Sequence, residues 1–592
     1  MITHCKKTLY ILLLTLPLFV SCKDFLEPVN DNHTTFDRII SDPSYADGLL
    51  LNAYNAVPTN QMQYTDILTD DAVTNQKGHT FTTMATGGWS SIFDPISVWS
   101  GSLRSIMYIN KFLTLVDSVQ WKWTNLDINE MFKMRYKGEA YGLRALFKYN
   151  LLQSVGGYAE DGGKLGIPIY DEFIDLKGDF EVPRATFDES VKSIYSDIDK
   201  ALSYLTMDDY KSLNNPAEMP ENLRKYNVED YNQVFGVYAS QRIPGRFLKA
   251  LKARVALLVA SPAFNENNDT KLWENAANYA GTVLTTINGV QGLDPQGHLF
   301  FLENNIKKAT PANDLPEIIW RTAKRKTLDR REVLNYPPLL SGEGFLNPTQ
   351  NLVDIFPMRD GYPITHALSN FNPKSPWGGR DQRLTDYVVY DANKIRYPIR
   401  TYIGSGTSAK DSIATSTRTG YYLKKMIRLD VNAAPTSTAK DQDHFNVHMR
   451  YTELFLIYAE AANEAWGPDG SGSFSFSARD LIAAIRKRAG ITQPDNYLAS
   501  ITSKEDMREL IRNERRIELC LEGFRFWDLR RWKLDLQEPA KGVNMRWKTG
   551  VGWDYEYVDV EPRNYNNSYM HYGPIPDSEL RKNKKLVQNK GW

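Results

Sequence analysis

The stretch that decides the fold lies near the C-terminus, at residues 513–532, and reads NERRIELCLEGFRFWDLRRW. Apolar side chains at helical spacing form one stripe through it: Leu510, Ile517, Leu521 and Phe524. The many Arg and Glu residues can pair along and between helices. Gly523 is expected to end the helix, and Trp527 and Trp532 are expected to bury large apolar faces. The stretch therefore predicts a structural helix and turn, not a binding site.

Six further segments have the apolar spacing of amphipathic helices. They are residues 139–154, 186–205, 246–260, 273–284, 450–464 and 477–488. The second opens with Thr186 and has Glu189 three residues later, which is the spacing of a capping box. Paired helices rich in Ala and Tyr are typical of degenerate tetratricopeptide units, although the spacing between these pairs is irregular. The sequence predicts a mainly α protein built on helical pairs.

Long loops separate the helices, and three of them stand out: residues 71–97, 307–348 and 372–416. Each is rich in Gly, Pro, Thr or aromatic residues, and loops of this length inside a compact protein are usually functional. No linker shows a composition shift strong enough to divide the chain. We expect one globular domain, residues 22–592, in which residues 22–35 form a short tether.

The composition is that of a soluble globular protein. The chain has 592 residues, of which 42% are hydrophobic and 24% charged. Lys and Arg together number 71, as do Asp and Glu, so no basic field exists that would attract phosphate backbones. We therefore expect no nucleic-acid partner. The aromatic content of 12% suits stacking on flat ligands and suits a large helical core equally well.

The first residues are typical of an export signal. Lys6 and Lys7 precede an apolar run, residues 9–20, that is too short to span a bilayer as a helix. A small residue and then Cys22 follow, which resembles the bacterial lipobox, where the cysteine is acylated and becomes the mature N-terminus. We expect residues 1–21 to be removed and Cys22 to carry the lipid. The alternative is an ordinary signal peptide followed by a free cysteine.

The remaining cysteines allow no disulfide framework. Removal of the signal takes Cys5, and acylation uses Cys22, which leaves only Cys520. Cys520 lies in an apolar stretch that we expect to be helical, and we interpret it as a buried small hydrophobic residue.

Catalytic motifs are absent from the sequence, which shows no HExxH, GxSxG, Walker A or CxxC pattern. His444 and His448 could share one helix face and bind a metal, but no third ligand is indicated, and we interpret them as structural or solvent-exposed. Asp66, Asp70 and Asp71 could act as paired carboxylates in glycoside hydrolysis, although adjacent side chains on an extended segment point in opposite directions. We predict a protein that is not an enzyme and has no cofactor. Whether calcium is bound stays open.

Residues 513–532 resemble the signature helix and turn of the SusD/RagB family. Further matches follow in the family's order across nearly the whole chain, at residues 22–26, 143–146, 183–187, 246–256, 317–320, 458–461, 485–490, 574–580 and 583–592. One departure is Lys590 before Gly591, where the family more often has Pro. The resemblance implies four tetratricopeptide-like helical units on one side and a loop-rich, ligand-binding region on the other.

The resemblance also implies a function in nutrient capture. Members of this family sit as lids on SusC-like, TonB-dependent outer-membrane transporters, capture glycans or in some members peptides, and deliver them for import. We therefore expect a lipoprotein that is anchored in the outer membrane, faces the cell surface and passes a glycan to such a transporter. Two alternatives stay open: a peptide-capturing member of the family and, from another class, a surface glycoside hydrolase.

The expected ligand site combines aromatic and polar side chains, because sugar rings stack on aromatics and their hydroxyl groups need polar partners. The resembling family places ligand contacts in the loop that starts near Asp71 and in a second loop that matches residues 336–347. The residues predicted to stack on sugar are Trp89, Trp99, Tyr336 and Phe345. Those predicted to bind hydroxyl groups are Asp71 and Asn347. The alternative for each is a side chain packed on its own scaffold.

Overall fold

The computed structural model describes residues 42–59, 64–175, 177–326, 330–434 and 442–592. The predicted signal peptide 1–21, the predicted lipid-bearing Cys22 and the predicted tether 22–35 lie outside the described residues. Within the described ranges, no helix combines the length and the apolar character needed to cross a bilayer.

Nine helices of eleven residues or more form the scaffold of the described chain. They are α1 (Pro43–Asn55), α3 (Trp99–Leu115), α4 (Leu126–Val155), α5 (Phe187–Tyr204), α7 (Gly245–Ala260), α8 (Thr270–Thr285), α13 (Tyr451–Trp466), α14 (Ala478–Arg488) and α16 (Lys504–Glu518). From α1 to α13 each of these helices packs against the next, and both α14 and α16 pack on α13. Their apolar faces share one continuous core. The predicted mainly α fold with a tetratricopeptide-like scaffold is confirmed.

Nine shorter α-helices lie between or beyond these in the described ranges. They are α2 (Thr80–Thr83), α6 (Val228–Phe235), α9 (Glu303–Lys308), α10 (Arg331–Asn335), α11 (Gln350–Ile355), α12 (Gln382–Tyr387), α15 (Asn496–Ser500), α17 (Arg525–Arg531) and α18 (Asp577–Lys582). Four of them, α9 to α12, fall between Glu303 and Tyr387, where the chain builds a second apolar core beside the helical scaffold.

The strands are short and form small antiparallel sheets. They are β1 (Ala72–Thr74), β2 (Gly157–Tyr158), β3 (Lys164–Pro168), β4 (Arg184–Thr186), β5 (Ile318–Arg321), β6 (Arg325–Lys326), β7 (Leu346–Pro348), β8 (Val388–Val389), β9 (Tyr422–Leu423), β10 (Asp443–His444), β11 (Val447–Arg450), β12 (Ala540–Lys548) and β13 (Gly552–Glu561). Strands β2, β3 and β4 form one sheet. The others pair as β1 with β7, β5 with β11, β6 with β10, β8 with β9 and β12 with β13. Several of these pairs join parts of the chain that are far apart in sequence.

Local sequence signals explain where several helices begin. The Thr186 hydroxyl accepts from the Glu189 amide at 3.2 Å, and the Glu189 carboxylate accepts from the Thr186 amide at 2.9 Å, so the predicted capping box is confirmed. Helix α4 is nearly twice as long as predicted and begins at the Asn125 cap, whose side chain accepts from the Ile128 amide. Its first half was missed because polar residues such as Arg135 are buried there, which hides the apolar period.

The signature stretch forms two helices and not one. Helix α16 ends at Glu518, and the chain then reverses through Leu521 (φ 61°) and Gly523 (φ 80°) before α17 begins. Leu521 and Phe524 are therefore not on the helical stripe that we predicted, and Cys520 lies in the turn. The expected burial of Cys520 is confirmed. Gly523 supplies the positive φ that the reversal requires.

The charged residues of α16 lie at the boundary between the helical scaffold and the second core. Glu518 accepts hydrogen bonds from Arg383 at 3.0 Å, from Arg450 at 3.2 Å and from Arg488 at 2.7 Å. All four side chains are at most 3% exposed. Arg383 belongs to α12, whereas Arg488 belongs to α14, so this carboxylate ties the loop-rich region to the scaffold.

His444 and His448 lie in strands and not on a helix, which corrects their predicted placement. His444 Nε2 lies 3.1 Å from a Glu332 carboxylate oxygen, and His448 stacks at 4.0 Å between ring centroids on Trp320. Burial lowers the pKa of His448 to about 3, which keeps its imidazole neutral. Both histidines are held by protein groups, as expected of structural residues.

Candidate functional site

The three long loops singled out in the sequence meet at one place. Strand β1 from the first loop pairs with β7 at the end of the second, with Val73 opposite Asn347. The Asn75 side chain then donates to the Glu343 carbonyl at 2.8 Å and to the Ser416 carbonyl at 3.5 Å, which reaches the third loop. We call this place the loop junction and define it by residues 74–83, 336–347 and 401–418.

Two predicted hydroxyl-binding residues lie beneath the junction. Asn347 accepts from the Arg418 amide at 3.0 Å and donates to the Gly344 carbonyl at 2.8 Å, so both ends of its amide are used within the protein. Asp71 is fully buried and binds Arg516 of α16. Arg418 continues the network by donating to the Thr74 carbonyl at 2.9 Å. These contacts hold the loops in register.

Two of the predicted stacking residues also lie at the junction, and both are buried. Phe345 is 4% exposed and packs edge-on against Tyr64 and His79, with ring centroids 5.1 and 5.4 Å away. Tyr336 is 1% exposed, and its hydroxyl donates to the Arg428 carbonyl. The junction thus contains three predicted residues, Tyr336, Phe345 and Asn347, and Asp71 lies beneath it, directly before strand β1.

The other two predicted stacking residues lie elsewhere. Trp89 is 4% exposed, donates from its indole nitrogen to Asp94 at 3.1 Å and packs on Trp592 at 4.7 Å between centroids. Trp99 begins α3 and lines a separate groove of about 280 Å³ together with Tyr170 and Phe180. The indole nitrogen of Trp99 has no hydrogen-bond partner among the described residues. Which of the six predicted residues touch ligand stays a prediction.

The surface of the junction carries side chains that the sequence did not single out. His79 is half-buried, and its Nδ1 accepts from the Phe81 amide at 3.2 Å. Burial lowers the His79 pKa, so near neutral pH its proton is on Nε2, which is left as a donor. The Phe81 ring lies 5.1 Å from the imidazole. Exposed Gln76 and Lys77 precede them, and this mixture of a ring face and polar groups suits a hydroxyl-rich ligand.

The carboxylates considered for hydrolysis form a buried cluster on the inner side of the junction. Asp70 binds Arg516 at 2.7 Å and Arg525 at 3.0 Å. Burial raises the pKa of Asp70, but these two guanidinium groups outweigh that effect and hold the pKa well below its ordinary value. The pKa of Asp66 is raised to about 7, chiefly by burial and also by the charge of Asp71. Asp70 and Asp71 are therefore both engaged in ion pairs and share Arg516, although the sequence suggested that their side chains point in opposite directions.

A metal centre is not indicated in the parts of the chain that the structure describes. No group of three or more His, Cys, Asp or Glu side chains is arranged there to hold an ion.

Two family models match the chain. The model described as "SusD family" matches residues 316–592, and the model described as "Starch-binding associating with outer membrane" matches residues 24–218. The SusD-like protein P38 of Formosa agariphila is 21% identical over 423 residues, which cover 70% of this chain and 69% of that protein.

Solved structures of similar proteins share the fold. A SusD-like carbohydrate binding protein from Bacteroides fragilis has a TM-score of 0.67 and 18% identity, and the match covers 93% of this chain and 100% of that one. A laminarin binding SusD-like protein has a TM-score of 0.57 and 18% identity, with the same coverage of 93% and 100%. One family model matches the N-terminal part of the chain and the other matches the C-terminal part, and the similar structures share the fold. The chain is therefore a member of the SusD/RagB family.

Proposed function

We propose that this protein captures oligosaccharides or polysaccharides at the cell surface and passes them to a TonB-dependent outer-membrane transporter. The observation that carries the proposal is the loop junction, where three distant loops present a neutral imidazole, an aromatic ring and polar side chains together. Membership of a family described as starch-binding and outer-membrane-associated supports it, as do the similar structures of a carbohydrate binding and a laminarin binding SusD-like protein.

The ligand site that we propose is the surface of the loop junction. Its direct contacts are His79 and Phe81, because both side chains are partly exposed there. The predicted residues Asp71, Phe345 and Asn347 would support these contacts from below, since their polar groups and faces are already engaged by the protein. Direct contact of these three residues with sugar would require the junction to open.

We propose binding without catalysis. The cluster of Asp66, Asp70 and Asp71 is buried, and two of its three carboxylates are held by guanidinium groups. A glycosidase needs two carboxyl groups that can reach opposite sides of a scissile bond. This cluster cannot reach a bond in its present arrangement.

The first experiment measures binding of the domain from Lys23 onward to laminarin, to soluble starch and to a tryptic peptide digest, by calorimetry. Each mixture is then assayed for new reducing ends. We expect one polysaccharide to bind and no cleavage to occur. Binding to peptides alone would favour the peptide-capturing alternative, and cleavage by the purified domain would show an enzyme.

Single substitutions then locate the site. His79→Ala removes a donor and part of an aromatic face, which we expect to weaken polysaccharide binding about tenfold. The matched control is Tyr238→Ala, which removes an aromatic ring that is 92% exposed on the helical scaffold. Equal binding by the His79→Ala variant and the parent protein would remove the loop junction as the site.

Anchoring and transfer are tested separately from glycan binding. Cys22→Ser should release the full-length protein from the outer-membrane fraction, because acylation of Cys22 is the proposed anchor. The acylated protein should copurify with a TonB-dependent transporter from detergent-solubilised outer membranes. A protein that stays membrane-bound after Cys22→Ser would contradict the proposed anchor.

A further inference from the structure

The hairpin of β12 and β13 continues beyond the core that it covers. Side chains alternate between the two faces of a strand, so Val543, Met545 and Trp547 share one face of β12. Val543 and Met545 are each 3% exposed, whereas Trp547 is 59% exposed. The core-facing side of the hairpin therefore overhangs the core at its tip and leaves an indole uncovered.

Three aromatic rings meet on this overhanging face. Trp553 lies directly opposite Trp547 across the hairpin, with ring centroids 5.2 Å apart and an angle of 74° between the planes. Tyr402 of the third long loop packs on Trp553 at 5.2 Å and 62°. We call Tyr402, Trp547 and Trp553 the hairpin platform. Steeply inclined rings give a ridged surface and not a flat apolar patch.

The charges near the tip of the hairpin lie on its other face and are paired with each other. Arg546 binds Glu556 at 2.9 Å, and Lys548 binds Asp554 at 2.7 Å. These four charges neutralise each other and lie on the face opposite the platform, so they would not attract a charged partner to it. The platform itself therefore offers neutral aromatic faces.

The rim of the platform is hydroxyl-bearing and uncharged. Residues 404–407 read Gly-Ser-Gly-Thr and follow Tyr402 and Ile403. Gly404, Gly406 and Thr407 are exposed, and Ser405 is partly exposed. Small residues, hydroxyl groups and open backbone beside aromatic rings are what a neutral sugar chain requires.

The platform is continuous with the loop junction. The Ile403 amide donates to the Met545 carbonyl at 3.0 Å, which attaches the third loop to β12. The Leu339 amide donates to the Ser408 hydroxyl at 3.1 Å, which attaches the same loop to residues 336–347 of the junction. One segment therefore borders both surfaces.

We propose that the hairpin platform binds further sugar rings of a glycan chain whose other rings occupy the loop junction. The protein then selects extended chains over short oligosaccharides, because only a chain can occupy both surfaces and gain from the second contact. This inference rests on the proposed glycan-binding function and extends it to ligand length.

The test compares laminarin with laminaritetraose, and soluble starch with maltotetraose, by calorimetry on the domain from Lys23 onward. We expect Trp547→Ala to weaken binding of the polysaccharide about fivefold, which corresponds to the loss of one aromatic contact, and to leave tetrasaccharide binding within about twofold. Trp547→Phe keeps a ring and should recover most of the affinity. The matched control is Trp123→Ala, since Trp123 is 69% exposed in the turn between α3 and α4.

Each outcome separates the two proposals. If the parent protein binds none of the four carbohydrates, the proposed function is refuted, and the platform proposal, which rests on it, is refuted as well. If it binds polysaccharide and Trp547→Ala binds equally well, the platform is refuted and glycan capture stands. If Trp547→Ala and Trp553→Ala lose polysaccharide and tetrasaccharide to the same extent, the hairpin is the main site and its role as an extension is wrong.

Discussion

Replacing Asp66 by Asn should make the protein less sensitive to alkaline pH. Asp66 is fully buried, and one of its carboxylate oxygens accepts from the Gly523 amide at 3.0 Å. The other oxygen has no hydrogen-bond partner among the described residues, and the same is true of one oxygen of Asp71. The folded protein therefore favours the protonated form of Asp66, which carries no charge to repel Asp71.

The magnitude follows from the pKa. Burial raises the Asp66 pKa from its ordinary value of 3.8 to about 7. Between those values the folded state holds a proton that the unfolded state has lost, so stability falls as the pH rises and is lowest above pH 7. At 1.36 kcal/mol per pH unit the full loss is about 4 kcal/mol. About 2.5 kcal/mol of it falls between pH 5 and pH 8.

The assay is urea unfolding of the parent and of Asp66→Asn at pH 5 and pH 8. The amide does not titrate. The free energy of unfolding of the variant, taken relative to that of the parent, should therefore rise by about 2.5 kcal/mol from pH 5 to pH 8. Asp161→Asn, at an exposed turn, is the control and should show the same small effect at both. A difference between Asp66→Asn and the parent that does not change with pH would refute the assignment of a protonated Asp66.

Two further predictions concern buried groups of the signature stretch. Glu518→Gln removes the one carboxylate that Arg383, Arg450 and Arg488 share, and it should lower the free energy of unfolding by about 3–5 kcal/mol in urea at neutral pH, because three buried guanidinium groups each lose one of their charge partners. A loss below about 1 kcal/mol would contradict this. Burial raises the pKa of Cys520 to about 12, so its thiol should not react with a disulfide reagent until the protein unfolds. Rapid labelling of the native protein would show that Cys520 is not buried.

Much of the helical scaffold could be predicted from the sequence because its signals are local. The capping box of Thr186 and Glu189 needs only four residues to form, and it fixes the start of α5. The end of α16 could not be predicted, because Leu521 adopts a positive φ that its type disfavours and is buried in the second core, whose contacts come from distant parts of the chain. Local pattern thus predicts the helices, whereas tertiary packing decides where α16 ends.

The candidate site was predictable at the level of loops and not of side chains. Loop length and composition pointed to the three segments that meet at the junction. Exposure depends on neighbours that a single sequence does not reveal: Trp89 is covered by the C-terminal Trp592, whereas Trp547 at a hairpin tip is not. An aromatic residue in a loop is equally compatible with both outcomes until the contacts are known.

The signature stretch and the loop junction are physically linked, although only the second is proposed to touch ligand. Arg516 of α16 donates to the carboxylates of Asp70 and Asp71, immediately before β1. A guanidinium bound to carboxylates fixes both distance and direction, whereas an apolar contact would let the loop slide. Strand β1 then sets the register of β7, and Asn75 joins both to the third loop. The position of His79, a few residues further on, therefore depends on a helix that lies outside the proposed ligand site.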